Sequence, residues 1–474
     1  MDQNNKSRIK LIRDPQTVAW LVVISSFILF CVLCIAGTFG TYWFLFDSPA
    51  AMTTCLTVSR GSVHVIYSDG TTSSISSNPD DNPQVACNNN AIQPTTVLQT
   101  DSSSQGYLSF VDSAASGGQI IANVFLRANS SLTFTEALRP RFDWSHQNYT
   151  VILENATGRF SVDMLANPNH VKLLISRSSL GTVQLTESGS YNIGAFDQSM
   201  ALYTQSGMGL IYAVPQHAAM IGAASQGVVK SGDENVDVTP YPFAMLNLPQ
   251  PGAVQKILTN SAMGQSDSSL PLLLGCTNPP PDNPSEPNGN WQVAQMDGQP
   301  ALRLFRMGVG QNNKPLGHAE TSCKFYFSNP IDPVEMDLTK YTSLSVQIKM
   351  KIHFQDVTTC GIRGSECPVM VRLDYYFLDA QKQPQPQVWY QGFYADRPSS
   401  DSNIQRCDNC PRDHEQINKD SWYLYDSGDL LKQLPSNQIP VALNSITIYS
   451  SGHQYDVAIA DLSVLGGLPS NQGN

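Results

Sequence analysis

Between Thr17 and Phe46 the chain reads TVAWLVVISSFILFCVLCIAGTFGTYWFLF, thirty residues without a charged side chain. About twenty predominantly apolar residues suffice to cross a hydrocarbon core of roughly 30 Å, so residues 17–46 are expected to form a transmembrane helix. Trp20 lies near one end, and Tyr42, Trp43, Phe44 and Phe46 near the other, where amphipathic rings favour the membrane interface. Lys6, Arg8, Lys10 and Arg13 all precede the run. The positive-inside rule then makes residues 1–16 a cytoplasmic tail and sends the bulk of the chain beyond a plasma membrane, in a single pass. A cleaved signal peptide is the competing reading, with Ser48-Pro49-Ala50-Ala51 as its cleavage site, but its apolar core would span only about 7–15 residues. Cys31 and Cys34, inside the run, read as apolar thiols.

The formal charge is −11, and the first sixteen residues contribute a local excess of basic groups, so the exterior is acidic. Phosphate binding needs clustered Lys and Arg, which excludes nucleic acid as a partner. Charged residues make up 14% of the chain, while 32 Gly and 30 Pro accompany abundant Ser, Thr and Asn. That balance fits short strands joined by many turns, and an all-β exterior is the expected class. A chain of 474 residues is too long for one ordinary core.

From Cys55 onward, short runs alternate apolar and polar residues between Gly, Asn, Asp and Ser turns: Ser62–Tyr67, Gly106–Val111, Ile120–Arg127, Tyr149–Leu153, Arg159–Met164 and Val171–Ser176 among them. Period-two alternation at this spacing signals half-buried strands. Val58-Ser59-Arg60-Gly61-Ser62-Val63-His64-Val65, Leu98-Gln99-Thr100-Asp101 and Tyr107-Leu108-Ser109-Phe110-Val111-Asp112 together resemble the opening of FecR-like extracytoplasmic domains. Asn155-Ala156-Thr157-Gly158-Arg159-Phe160-Ser161-Val162 resembles a later strand of that family, and Gly181–Leu185 with Gly189–Ile193 its closing repeats. The resemblance implies a β-rich sensor domain over residues 51–235, coupled in that family to a cytoplasmic anti-sigma segment. Sixteen residues ahead of the span are too few for a folded sigma-binding domain, so a transmembrane signalling regulator is the alternative to a plain binding role.

Residues 236–290 carry Pro240, Pro242, Pro249, Pro251 and Pro279-Pro280-Pro281. Proline cannot donate in a ladder and stiffens extended chain, so this stretch is expected to be an inter-domain linker that few contacts cross. Strand patterns return over residues 291–467, followed by a disordered tail, 468–474. Asp337–Leu344 and Tyr455–Leu465 resemble the galactose-binding-like jelly rolls used as carbohydrate-binding modules, which implies a C-terminal β-sandwich.

Eight cysteines lie past the span: Cys55, Cys87, Cys276, Cys323, Cys360, Cys367, Cys407 and Cys410. An even count in an oxidising compartment points to disulfides, with Cys55 to Cys87 and Cys276 to Cys323 favoured by the domain division. The last four, spaced C-x6-C and C-x2-C, also fit a four-thiolate zinc site. Trp389, Tyr390, Phe393 and Tyr394 alternate on one strand, so two rings must face each side of a sheet. One pair is expected in the core and the other on a face that stacks sugar rings, helped by Asp396 and Arg397. His318 with Glu320, and His414 with Asp413 and Glu415, read as solvated loop clusters. G-x-S-x-G, H-E-x-x-H, phosphate-loop and dinucleotide signatures are absent from the sequence, and no cofactor is implied. The expected function is therefore non-enzymatic: a membrane-anchored binding or sensing protein of a bacterial envelope, with lipid around its helix and a glycan or envelope protein as its outer partner. An extracellular hydrolase ranks last for want of a catalytic signature, and stays open because the paired carboxylates of a glycosidase leave no local motif.

Overall fold

A computed structural model of the chain describes residues 15–76, 91–112, 118–142, 144–145, 147–165, 171–178, 180–213, 217–223, 225–240, 243–247, 274–310, 316–327, 336–339, 341–356, 367–396 and 414–467. Among the described residues the fold is all-β apart from one long N-terminal helix with its terminal turn and a four-residue helix, Leu430–Gln433, whose first turn is capped by the Asp429 carboxylate. The chain divides into two compact units, Met1–Ala51 with Leu138–Tyr149, and Met52–Ala137 with Thr150–Asn474.

In the first unit, the helix Pro15–Tyr42 runs into a π turn, Trp43–Asp47. The segment Val18–Asp47 is long and apolar enough to cross a membrane. Its large side chains, Phe27, Phe30, Leu33 and Phe39 among them, are exposed along the helix. After the turn, Pro49–Ala51 pairs antiparallel with Leu138–Pro140.

The second unit holds two lobes. In the first, strands between Thr53 and Pro240 form two layers of antiparallel hairpins. The sixteen-residue strand Tyr149–Met164 serves both layers: it pairs with Val171–Arg177, and its last residues, Gly158–Met164, pair with Gln119–Leu126 and Gly189–Ala195. Val151 and Leu153 are buried while their neighbours are half-exposed, the alternation that a pleated strand over a core requires. The strand bends at Gly158, where φ is +98° and an added Cβ would lie 2.6 Å from the Asn129 carbonyl oxygen, so only glycine fits.

The second lobe is a β-sandwich. Its inner sheet runs Asn290–Met296, Gln299–Arg306, Gln454–Gly467, Ser343–Asp356 and Tyr423–Asp426, and its outer sheet Leu274–Thr277, Ala319–Tyr326, Ala442–Gly452, Val369–Leu378, Pro384–Tyr394 and Glu415–Gln416. Leu304, Val346, Ile348, Ile352, Val371, Leu373, Trp389, Phe393, Ile446 and Val457 fill the space between the sheets. Arg306, 1% exposed, staples three chain segments by donating to the carbonyls of Pro287, Gly317 and His453.

The Pro-rich stretch 236–290 is more than spacer. Asp237–Pro240 extends a layer of the first lobe, and Phe243–Asn247 joins the inner sheet of the second against Ser463–Gly467. The two lobes also bond directly, so the expectation of few contacts is corrected. Arg60 meets Glu415 at 2.9 Å and Arg127 meets Asp426 at 3.1 Å. The Gln105 amide both donates to the Leu424 carbonyl and accepts from its N–H, as a neighbouring strand would. Tyr107 and Phe125 of the first lobe pack with Ala301, Trp422, Ala458 and Ala460 of the second. The inner sheet thus has apolar partners on both faces.

Cys276 and Cys323, opposed across the outer sheet's first two strands, form a disulfide. Cys55 and Cys367 each belong to a further disulfide, not one shared between them. Cys87, Cys360, Cys407 and Cys410 lie outside the described residues. A disulfide sulfur is not a thiolate and cannot be one of four zinc ligands. Mass spectrometry of unreduced chain is expected to find Cys360, Cys367, Cys407 and Cys410 unavailable to alkylation, with no metal bound. Stoichiometric zinc, with thiols freed by chelation, would reverse that expectation.

Candidate ligand-binding face

Alternation along Ala319–Tyr326 buries Ala319, Thr321, Cys323 and Phe325 and turns Glu320, Ser322, Lys324 and Tyr326 outward. The neighbouring strands present Thr447 and Tyr449, Arg372 and Asp374, and Tyr390 on the same side. Register assembles them into rows: Lys324, Thr447, Arg372 and Tyr390 stand opposite one another in succession, as do Tyr326, Ser445 and Asp374. A groove of about 480 Å³ lies over them, with Thr277, Glu320, Lys324, Tyr326, Arg372 and Tyr390 in its lining.

Charge on this face is organised around Asp374. Its carboxylate accepts from Arg372 Nε at 2.8 Å and from Ser445 Oγ at 2.7 Å, with Lys324 Nζ at 3.6 Å. The Arg372 guanidinium also lies over the Tyr390 ring, 5.6 Å from its centroid, and the Lys324 ammonium over Tyr326 at 5.0 Å. Both rings are thereby held in position by cations that Asp374 holds in turn. Burial raises the Glu320 carboxyl above its usual range and raises the phenols of Tyr390 and Tyr449 as well. The phenols stay protonated at neutral pH and act as hydrogen-bond donors. Chemically, the face offers flat rings, a fixed guanidinium and hydroxyl groups, which suits a neutral, hydroxyl-rich ligand lying along the strands.

The four rings of the strand Pro384–Tyr394 divide as the pleat demands. Trp389 and Phe393 are fully buried in the core, where no ligand on the open face reaches them, whereas Tyr390 and Tyr394 lie on the opposite side and are half-buried. Tyr394 packs with Tyr390 against Cys367, Met370 and Tyr449. Asp396 sits past the strand end with Lys419 at 3.9 Å, and Arg397 lies outside the described residues. Glu320 belongs to a strand rather than to a loop. His414 and Glu415 are likewise not solvated: His414 Nδ1 meets Cys367 Sγ at 3.3 Å, and Glu415 accepts from Tyr423 and from Arg60 of the other lobe. Asp413 lies outside the described residues. Tyr326, Arg372, Asp374 and Tyr449 carry no local motif; outward alternation was their only signal, and it does not say which strands adjoin.

No family model matches the chain, and no curated protein matches it. Solved structures of at least two kinds overlap it in part. An anti-sigma factor candidate of Parabacteroides distasonis aligns at 14% identity and a TM-score of 0.20, over 25% of this chain and 51% of its own. The match therefore spans about half of that protein. The family 30 carbohydrate-binding module of a Clostridium thermocellum cellulosomal cellulase aligns at 11% identity and a TM-score of 0.22, over 43% of this chain and 95% of the module. The family 11 module from the same organism, solved with a mixed-linked tetrasaccharide, aligns at 8% identity and a TM-score of 0.21. Overlaps this slight assign neither family nor ligand.

A second polar cluster lies between the lobes, lining a cavity of about 410 Å³. Lys349, only 3% exposed, pairs with Asp163 of the first lobe and donates to Gln299 Oε1 at 2.7 Å. Gln205 of the first lobe donates to Asp461 at 3.2 Å and to Ser463 at 3.3 Å. Burial raises the Asp461 carboxyl, assisted by Asp163, while Gln205 and Lys349 act the other way. Because its folded pKa exceeds the unfolded one, Asp461 stabilises the fold below the unfolded pKa and loses that contribution as pH rises through the folded value. Asp461→Asn is therefore expected to raise the urea midpoint at neutral pH, with the gain shrinking as pH falls towards about 4. A gain independent of pH would refute a titrating Asp461.

Proposed function

We propose that the chain is a membrane-anchored extracytoplasmic binding protein, with a FecR-like first lobe and a second lobe that binds glycan on its outer sheet. The observation that carries this reading is the outward pair Tyr326 and Tyr390, each under a cation, beside Arg372 and Asp374. Sugar rings have apolar C–H faces and hydroxyl edges, and tyrosines flanked by fixed donors and acceptors answer both. The exposed apolar helix supports the anchor. In this reading the chain performs no catalysis and its N-terminus is cytoplasmic.

The test is a glycan array probed with the full chain in nanodiscs, because the lobes bond too extensively for the second to be used alone. Tyr390→Ala and Tyr326→Ala are each expected to weaken binding about two- to tenfold, since losing one ring contact removes roughly 0.5–1.5 kcal/mol and 1.4 kcal/mol is a factor of ten. Both variants should stay folded, with Tyr390→Ala unfolding at a somewhat lower temperature because its ring packs against Met370 and Tyr449. Glycan binding that is indifferent to both rings would move the site elsewhere.

A further inference from the structure

We infer that the turn following the strand Ser131–Pro140 is a second membrane contact, which lays Phe142 and Trp144 into the lipid headgroup layer beside the end of the helix. The inference rests on the anchoring read above.

The first unit builds this contact from both chain segments. Arg141 Nε donates to Ser48 Oγ at 3.0 Å, its Nη2 donates to the Pro49 carbonyl at 3.1 Å, and its guanidinium lies 5.2 Å from the Phe44 ring centroid. Ser145 Oγ donates to the Phe46 carbonyl, one of the carbonyls the helix end leaves open. Phe142 meets Phe44 edge-on at 5.7 Å and stacks on Trp144 at 5.1 Å, with ring planes 3° apart. With Tyr42, Trp43 and Phe46, the turn thus completes one aromatic belt on two segments far apart in sequence. Yet the outermost ring is not buried in protein: Trp144 is 60% exposed, against 57% for Trp43 on the helix itself. A stacked, exposed tryptophan joined through Phe142 to Phe44 of the helix end suits the interface, where an amphipathic ring is stabilised by headgroups and upper acyl chains. The occupant is therefore a lipid surface, continuous with the lipid around the helix.

The experiment uses the full chain carrying 5-fluorotryptophan, in nanodiscs of phosphatidylcholine and phosphatidylglycerol, with fluorine resonances assigned by Trp144→Phe and Trp43→Phe. Lipid bearing gadolinium on its headgroup is expected to broaden the Trp144 and Trp43 resonances to a similar extent and to leave those of the buried Trp389 and Trp422 sharp. Broadening of Trp43 with a sharp Trp144, which then broadens with a water-soluble gadolinium chelate, overturns the contact while leaving the anchor intact. A sharp Trp43 overturns the anchor, and the contact with it.

Discussion

Trp422→Ala is expected to destabilise the chain by about 3–5 kcal/mol, the loss typical of emptying a buried tryptophan site. The indole is 1% exposed and packs against Tyr107 and Phe125 of the first lobe as well as Ala301, Ala458 and Ala460 of its own. Its Nε1 donates to Asp297 at 2.8 Å, and its backbone carbonyl accepts from Ser59 Oγ at 2.7 Å, so ring and main chain hold opposite partners. Lys349 and Lys351 lie over the ring at 5.4 and 5.9 Å. Alanine keeps the backbone bond and removes the rest, leaving a cavity lined by two lysines and an aspartate that lacks one donor. Urea denaturation followed by circular dichroism should show the midpoint fall and one transition split into two as the lobes lose their coupling. A loss under about 1 kcal/mol with a single transition would mean that the lobes cohere without this residue.

What the sequence revealed and what it hid follow from the range of each interaction. The helix was legible because thirty uncharged residues admit few other readings, and the strands because alternation is a local property. The split of Trp389 and Phe393 from Tyr390 and Tyr394 followed from the pleat alone. The stretch around Phe243–Asn247 misled because prolines before and after it signal extended, unpaired chain, whereas pairing with Ser463–Gly467 joins residues more than two hundred positions apart. The ligand face was half legible for the same reason: Tyr390 had aromatic neighbours to draw notice, but Tyr326 and Arg372 gain meaning only once Ala442–Gly452 lies between their strands. Glu415 and His414 looked solvated because their burial depends on Arg60 and Cys367, which sequence distance conceals.

The same long-range logic sets the last expected result, on the pair Lys349 and Asp163. Lys349 projects from the inner sheet with 3% of its side chain exposed, and Asp163 of the other lobe, 17% exposed, is its ion-pair partner. Removing one member of a buried pair strands the other charge, which costs about 3–5 kcal/mol, while replacing both by apolar groups of similar size is often neutral. Asp163→Asn should therefore destabilise by about 3 kcal/mol, the low end of that range, because Gln299 and the nearby Asp461 still act on the ammonium. Lys349→Met should cost less, since Asp163 retains some access to water and a hydrogen bond from Ser190 Oγ at 3.3 Å. Combining Lys349→Met with Asp163→Asn should recover most of the loss of Asp163→Asn alone, because no charge is then stranded. Urea midpoints of the four proteins measure this directly. Losses that simply add in the double variant would show that the two groups act independently, and the pair would then contribute nothing to holding the lobes together.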